Sequence, residues 1–202
     1  PRHLHSFPTR RSSDLGVVSG HRFSSALLMA TARALLRQRS DLPGTITEIV
    51  SDVNRHLARD VEESGGFMTL FYLTIDVENR KLNWVRAGHE PAILYDPDKN
   101  SHQILGGAGI ALGVDVNWVF EDNLKTDLAG GQIIMLSTDG IWESRNPKGE
   151  MFGREPVFRI LRKNSSSSAN EILDAILDAL NKFMESAKLE DDITLVIVKV
   201  LP

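Results

Sequence analysis

Gln132-Ile133-Ile134-Met135-Leu136-Ser137-Thr138, followed at once by Asp139-Gly140, is the stretch on which the reading of this 202-residue chain turns. A continuous apolar run this short, closed by Asp-Gly, reads as a β-strand buried on both faces. Such a strand needs neighbours in a sheet and further layers packed on it. The other strongly β-branched run, Ile193 to Leu201, supplies a second core strand, and Asp191-Asp192 stand immediately before it. Carboxylates therefore fall at the mouths of both apolar strands.

Between these strands lie two helical patterns. Pro156 suits the first turn of a helix carrying Val157, Ile160 and Leu161. After the serines at 165–168, Ser168 and Glu171 form a capping pair for a longer helix, with Ile172, Leu173, Ile176, Leu180, Phe183, Met184 and Ala187 along one side. On the N-terminal side, short strands are predicted at 91–95, 101–105 and 117–124. A β-hairpin is predicted from Phe67–Ile75 and Lys81–Ala87, turning at Glu78-Asn79-Arg80. Thr45 and Glu48 form another capping box, ahead of Ile46, Ile49, Val50, Val53, Leu57 and Val61 at helical spacing. Phe23–Arg39 is apolar on more than one face and reads as a largely buried helix. The order of elements argues for an α+β fold with helices covering sheets, without internal repeat or domain boundary.

Composition narrows the chemistry. The absence of cysteine excludes disulfides, thiolate metal sites and cysteine nucleophiles, and it fits a cytoplasmic location. No apolar run approaches the ~20 residues of a membrane span. A net charge of −4 gives no basic footprint for nucleic acid, which leaves proteins and small molecules as partners. Residues 1–15 stand apart, with three arginines against one aspartate and no apolar period. Phe7–Leu15 looks like the translation of a sequencing adapter, so 1–15 reads as a non-native leader.

Asp139 and the Asp191-Asp192 pair, each at the mouth of a core strand, suit a hard divalent cation such as magnesium or manganese, which takes oxygen ligands. The bland alternative is an Asp-Gly turn and an Asp-Asp strand start, and both readings stay open on spacing alone. Gly16-Val17-Val18-Ser19-Gly20 lacks the first glycine spacing of a nucleophile elbow, and Gly106–Gly113 matches no phosphate loop. His21, His56, His89 and His102 show no metal-ligand spacing.

A series of motifs in one order goes further: Val18-Ser19-Gly20-His21, Ser25–Ala30, Phe67–Tyr72, Ala87-Gly88-His89-Glu90-Pro91, Ser137-Thr138-Asp139-Gly140, Asn146–Gly153 and Asp191–Leu195. Together they resemble the bacterial SpoIIE-type branch of the PPM metal-dependent protein serine/threonine phosphatases, across nearly all of 16–202. The resemblance implies two antiparallel β-sheets packed as a sandwich and flanked by helices, here lacking the first strands. It implies a pair of manganese or magnesium ions and hydrolysis of phosphoserine or phosphothreonine without a covalent enzyme intermediate. It makes Asp139 and Asp191 metal ligands and catalytic residues, with the Val18 backbone carbonyl as a further ligand and Asp192 as an adjacent candidate. Gly20, His21, Gly140 and His89 shape the site. The implied substrate is a phosphoprotein, an anti-sigma-factor antagonist of a partner-switching pathway, with an upstream sensor domain as a further expectation. Val17 stands where the family pattern has a metal-bridging aspartate, and Arg22 where it has glycine. Impaired activity is therefore expected, and the alternative is a catalytically silent module that binds a phosphoprotein.

Overall fold

The computed structural model describes residues 10–19, 23–63, 65–187, 189 and 191–201. In chain order the elements are β1 (Arg10–Val18), α1 (Phe23–Ser40), α2 (Ile46–Asp60), β2 (Met68–Asp76), β3 (Lys81–Ala87), β4 (Ala92–Asp96), β5 (Ser101–Leu105), β6 (Asn123–Lys125), β7 (Ile133–Ser137), α3 (Gly140–Glu143), α4 (Glu155–Lys163), α5 (Ala169–Met184) and β8 (Leu195–Lys199). The chain forms two compact units, 1–89 with 106–128, and 90–105 with 129–202. The boundaries fall within short connections, two of them glycine-rich, at Gly106-Gly107-Ala108-Gly109 and Ala129-Gly130-Gly131.

The first unit is built on the antiparallel sheet β1-β2-β3-β6. The α2 stripe predicted from periodicity is its core: Ile46, Ile49, Val50, Val53 and Leu57 are buried with Leu70, Tyr72, Val85, Leu112 and Phe120. Each such side chain contributes roughly 1.5–3 kcal/mol on burial. Thr45 Oγ1 accepts the Glu48 N–H at 3.2 Å and a Glu48 carboxylate oxygen accepts the Thr45 N–H at 2.8 Å, completing the expected capping box. In the hairpin turn the Asp76 carboxylate accepts the Asn79 backbone N–H at 2.9 Å and its side-chain N–H at 2.8 Å. The Asn79 backbone N–H is the main cause holding the Asp76 carboxyl below its ordinary range.

Two expectations for this unit are corrected. α1 is not largely buried: among its described residues only Ala32 and Leu36 are fully buried, Leu28, Met29 and Leu35 pack against the core partly buried, and Leu27 is 54% exposed. Alanine on a helix carries too little polarity to mark an outer face. The strand expected at 117–124 shrinks to Asn123–Lys125. The residues before it are drawn into a turn fastened by buried Asn54, whose amide N–H donates to the Asp115 carbonyl at 2.8 Å and whose amide oxygen accepts the Gly113 N–H at 2.9 Å. The strand register also extends past Gly16 into the leader, with Arg10↔Asp76 through Leu15↔Phe71, and Leu15 is buried. Ladder pairing uses backbone groups and needs no apolar side-chain period. Asn54→Ala should destabilise the protein by about 2 kcal/mol, because it strands two backbone groups of a tight turn. Urea unfolding measures this, and a change below about 0.5 kcal/mol, the level of an ordinary surface substitution, would contradict it.

The second unit carries the sheet β5-β4-β7-β8, antiparallel throughout. All five residues of β7 are buried, as predicted. Ile133 and Met135 pack with Ile93, Tyr95, Val157, Leu161, Ile172, Ile176 and Leu180, while Ile134 and Leu136 are buried on the opposite face. The expected Ser168–Glu171 capping box is present. Although strongly apolar, β8 forms the edge of its sheet and every residue in it is half-buried, so it is not a central strand.

Candidate active site

The pairing of β7 with β8 determines what lies at the end of the buried strand. Ser137 stands opposite Leu195, and the antiparallel run places the end of β7 beside the start of β8. The Thr138 N–H donates to the Thr194 carbonyl at 3.1 Å, extending the pairing one step beyond the ladder. Asp139 and the Asp191-Asp192 pair therefore emerge at the same end of the same sheet, as their strand positions predict.

The expected Asp-Gly turn is instead the start of a short helix. Asp139 is the N-cap of α3 with φ −62° and ψ −23°, and its carbonyl accepts the Glu143 N–H at 3.0 Å. Its side chain makes no capping bond and is exposed to solvent. The carboxylate is therefore not committed to the role that usually explains aspartate at this position. Gly140 is buried for a steric reason: a Cβ there would sit 2.8 Å from the Asp192 carbonyl oxygen. Asp191 and Asp192 are also exposed, and one Asp191 carboxylate oxygen accepts the Asp192 N–H at 2.8 Å.

Other expected site residues lie in the first unit or outside the described residues. Gly20 and His21 belong to the latter. Val18 lies opposite Met68, whose N–H and C=O both bond Leu112. By antiparallel alternation, Val18 therefore directs its own backbone groups away from β2, off the open edge of β1. The Val17 side chain is 41% exposed, and its position pairs with Thr69. His89 is buried with its Nδ1 2.9 Å from Thr69 Oγ1, and its carbonyl accepts the Arg86 Nε–H.

Among the described residues, no three acidic or histidine side chains are gathered so as to enclose a metal ion. Two solvent-facing carboxylates nevertheless match the way magnesium is commonly held, by one or two carboxylates with water completing the shell. The residues at the end of β7 thus fit a single hydrated hard cation. A bridged pair calls for another carboxylate. One residue the sequence reading passed over is Thr138, which looks like the end of a β-branched strand. No sequence signal separates that role from the contacts its hydroxyl makes.

The family model for Stage II sporulation protein E (SpoIIE) matches residues 15–201. Protein IcfG of Synechocystis sp. is 34% identical over 146 residues, covering 72% of this chain and 22% of IcfG. Phosphoserine phosphatase RsbU of Bacillus subtilis is 26% identical over 182 residues, covering 90% of this chain and 53% of RsbU. The chain thus spans about a fifth of the first relative and about half of the second. Among solved structures, the SiaA-PP2C domain of Pseudomonas aeruginosa superposes with a TM-score of 0.78 at 22% identity, covering 94% of this chain and 80% of that one. Two antiparallel four-stranded sheets with helices are the fold it shares. The chain belongs to the SpoIIE family, and its fold is that of a PPM-type (PP2C-like) protein phosphatase domain.

Proposed function

We propose that this domain removes phosphate from phosphoserine or phosphothreonine on a partner protein, an anti-sigma-factor antagonist in a partner-switching pathway, using manganese or magnesium held by Asp139 and Asp191. The observation that carries the reading is the convergence of Asp139 and Asp191-Asp192 at one end of the β7–β8 pair, exposed and without a capping role. The name of RsbU, a phosphoserine phosphatase, supports the substrate class. When bound, the cation supplies Lewis-acid polarisation of phosphoryl oxygens and a water of lowered pKa.

The chain's own contribution is to present anionic oxygens from a rigid strand end. Asp139 is fixed by the junction of β7 and α3, and Asp191 is oriented by the Asp192 N–H. Asp192 stands ready as an adjacent oxygen donor, and the outward-facing Val18 carbonyl is the backbone donor the family pattern would use. Without cysteine, the chain has no thiolate to form a phosphocysteine, so water is the acceptor in the reading adopted. Gly140, His89, Gly20 and His21 keep their proposed shaping roles. The cytoplasm is the proposed location. Among the described residues no helix is long and apolar enough to cross a membrane.

Val17 specifically favours a second reading, in which the domain binds a phosphoprotein without turning it over. The two readings separate in one assay. Phosphate release from a phosphoserine peptide should need added manganese or magnesium and stop with EDTA. Release that persists undiminished in EDTA contradicts the metal-dependent reading, whereas metal-independent binding of the peptide without any release supports the silent module.

A further inference from the structure

Thr138 is buried at 5% exposure, and its hydroxyl is used in both directions. Thr138 Oγ1 donates to the Asp192 carbonyl at 3.0 Å and accepts the Thr194 N–H at 3.0 Å. The β8 ladder begins only at Leu195, so these bonds and the Thr138 N–H bond to the Thr194 carbonyl reach beyond the regular pairing to secure 192–194. Their effect is passed on by the Asp192 residue itself. Its carbonyl is held by Thr138 Oγ1, and its N–H is the donor that orients the Asp191 carboxylate. Gly140 closes the same segment from another side, since the Asp192 carbonyl oxygen lies where a Cβ at 140 would be.

We propose that Thr138 is a positioning residue: its hydroxyl locks the Asp192 peptide, and through it the orientation of the Asp191 carboxylate relative to Asp139. This rests on the reading that Asp139 and Asp191 hold the cation. A carboxylate pair binds a hard cation well only when both oxygens are already in place, because disorder in either is lost as affinity. A hydroxyl that contacts neither cation nor substrate thereby sets how tightly the site binds.

The experiment compares the full chain with Thr138→Val, which removes the hydroxyl at nearly constant size, Thr138→Ser, which keeps it, and Gly140→Ala, which displaces the segment with the hydroxyl intact. Manganese affinity is read by electron paramagnetic resonance, and metal-free amide exchange at Thr194 by NMR. Thr138→Val should weaken manganese binding about 10- to 100-fold, the usual cost of losing a group that orients a ligand, and should speed Thr194 exchange by on the order of tenfold. Thr138→Ser should lie within about threefold of the unaltered chain in both, and Gly140→Ala should lose affinity as Thr138→Val does. A general loss of structure would lower thermal stability in step with affinity and would not be rescued by serine. Unchanged exchange at Thr194 in Thr138→Val, or unchanged manganese affinity, overturns the proposal. Equal losses in the valine and serine variants overturn it as well. If the unaltered chain binds no manganese, the cation reading of Asp139 and Asp191 fails. The positioning role is then decided separately, by whether Thr194 exchange speeds up in Thr138→Val but not in Thr138→Ser.

Discussion

Val17→Asp should increase cation-dependent phosphate release from a phosphoserine peptide by on the order of a hundredfold, with manganese affinity rising at least about tenfold. The reason is electrostatic. A pair of divalent cations, were it to bind, would need anionic oxygen to offset its repulsion, and the isopropyl group of Val17 supplies neither charge nor lone pair. The resemblance to the PPM phosphatases implies an aspartate at this position. The substitution is structurally inexpensive, because Val17 is 41% exposed on the edge strand β1 and the change costs at most about 1 kcal/mol of β-propensity. Thermal unfolding should confirm that the fold persists. Equal turnover by the unaltered chain and the Val17→Asp variant, both folded, would show that position 17 is not where the bridging ligand belongs.

In that Val17→Asp background, Asp139→Asn should lower turnover by at least about two orders of magnitude, while unfolding free energy changes by less than about 0.5 kcal/mol. The two halves of this prediction come from the same observations. Asp139 is exposed and its side chain caps nothing, so the fold loses nothing when the carboxylate becomes an amide of the same shape. A hard cation, in contrast, loses an anionic oxygen and gains a weaker neutral one. Steady-state phosphate release with saturating manganese, measured beside urea unfolding, tests both halves. If activity and stability fell together, Asp139 would be a structural residue and the bland alternative would be the correct one.

The parts of the fold that were legible in the sequence are those set by neighbours along the chain. Thr45 with Glu48 and Ser168 with Glu171 are reciprocal hydrogen-bond pairs three residues apart, so they form wherever the helix forms. The β7 strand was legible because consecutive large apolar residues, Ile133 to Leu136, have few other places to go. What depends on distant partners was not. The edge position of β8 follows from sheet order, which its own apolar pattern does not encode. The turn at 113–118 is dictated by Asn54 some sixty residues earlier, and nothing local distinguishes it from a weak strand. Gly140 was readable as a turn residue, yet it lacks a side chain because the Asp192 carbonyl lies against it. The carboxylates of the candidate site were visible as residues at strand mouths. The hydroxyl that holds one of them became visible only once 138 and 192–194 were adjacent.

The central claim is that Asp139 and Asp191 share one cation, and manganese as a paramagnetic probe tests it most directly. In NMR spectra of the chain titrated with substoichiometric manganese, the amide signals of Asp139, Gly140, Asp191 and Asp192 should broaden together and first, and magnesium in excess should restore them. Broadening of the 139–140 signals without those of 191–192, or of neither while signals elsewhere disappear, would contradict a shared site.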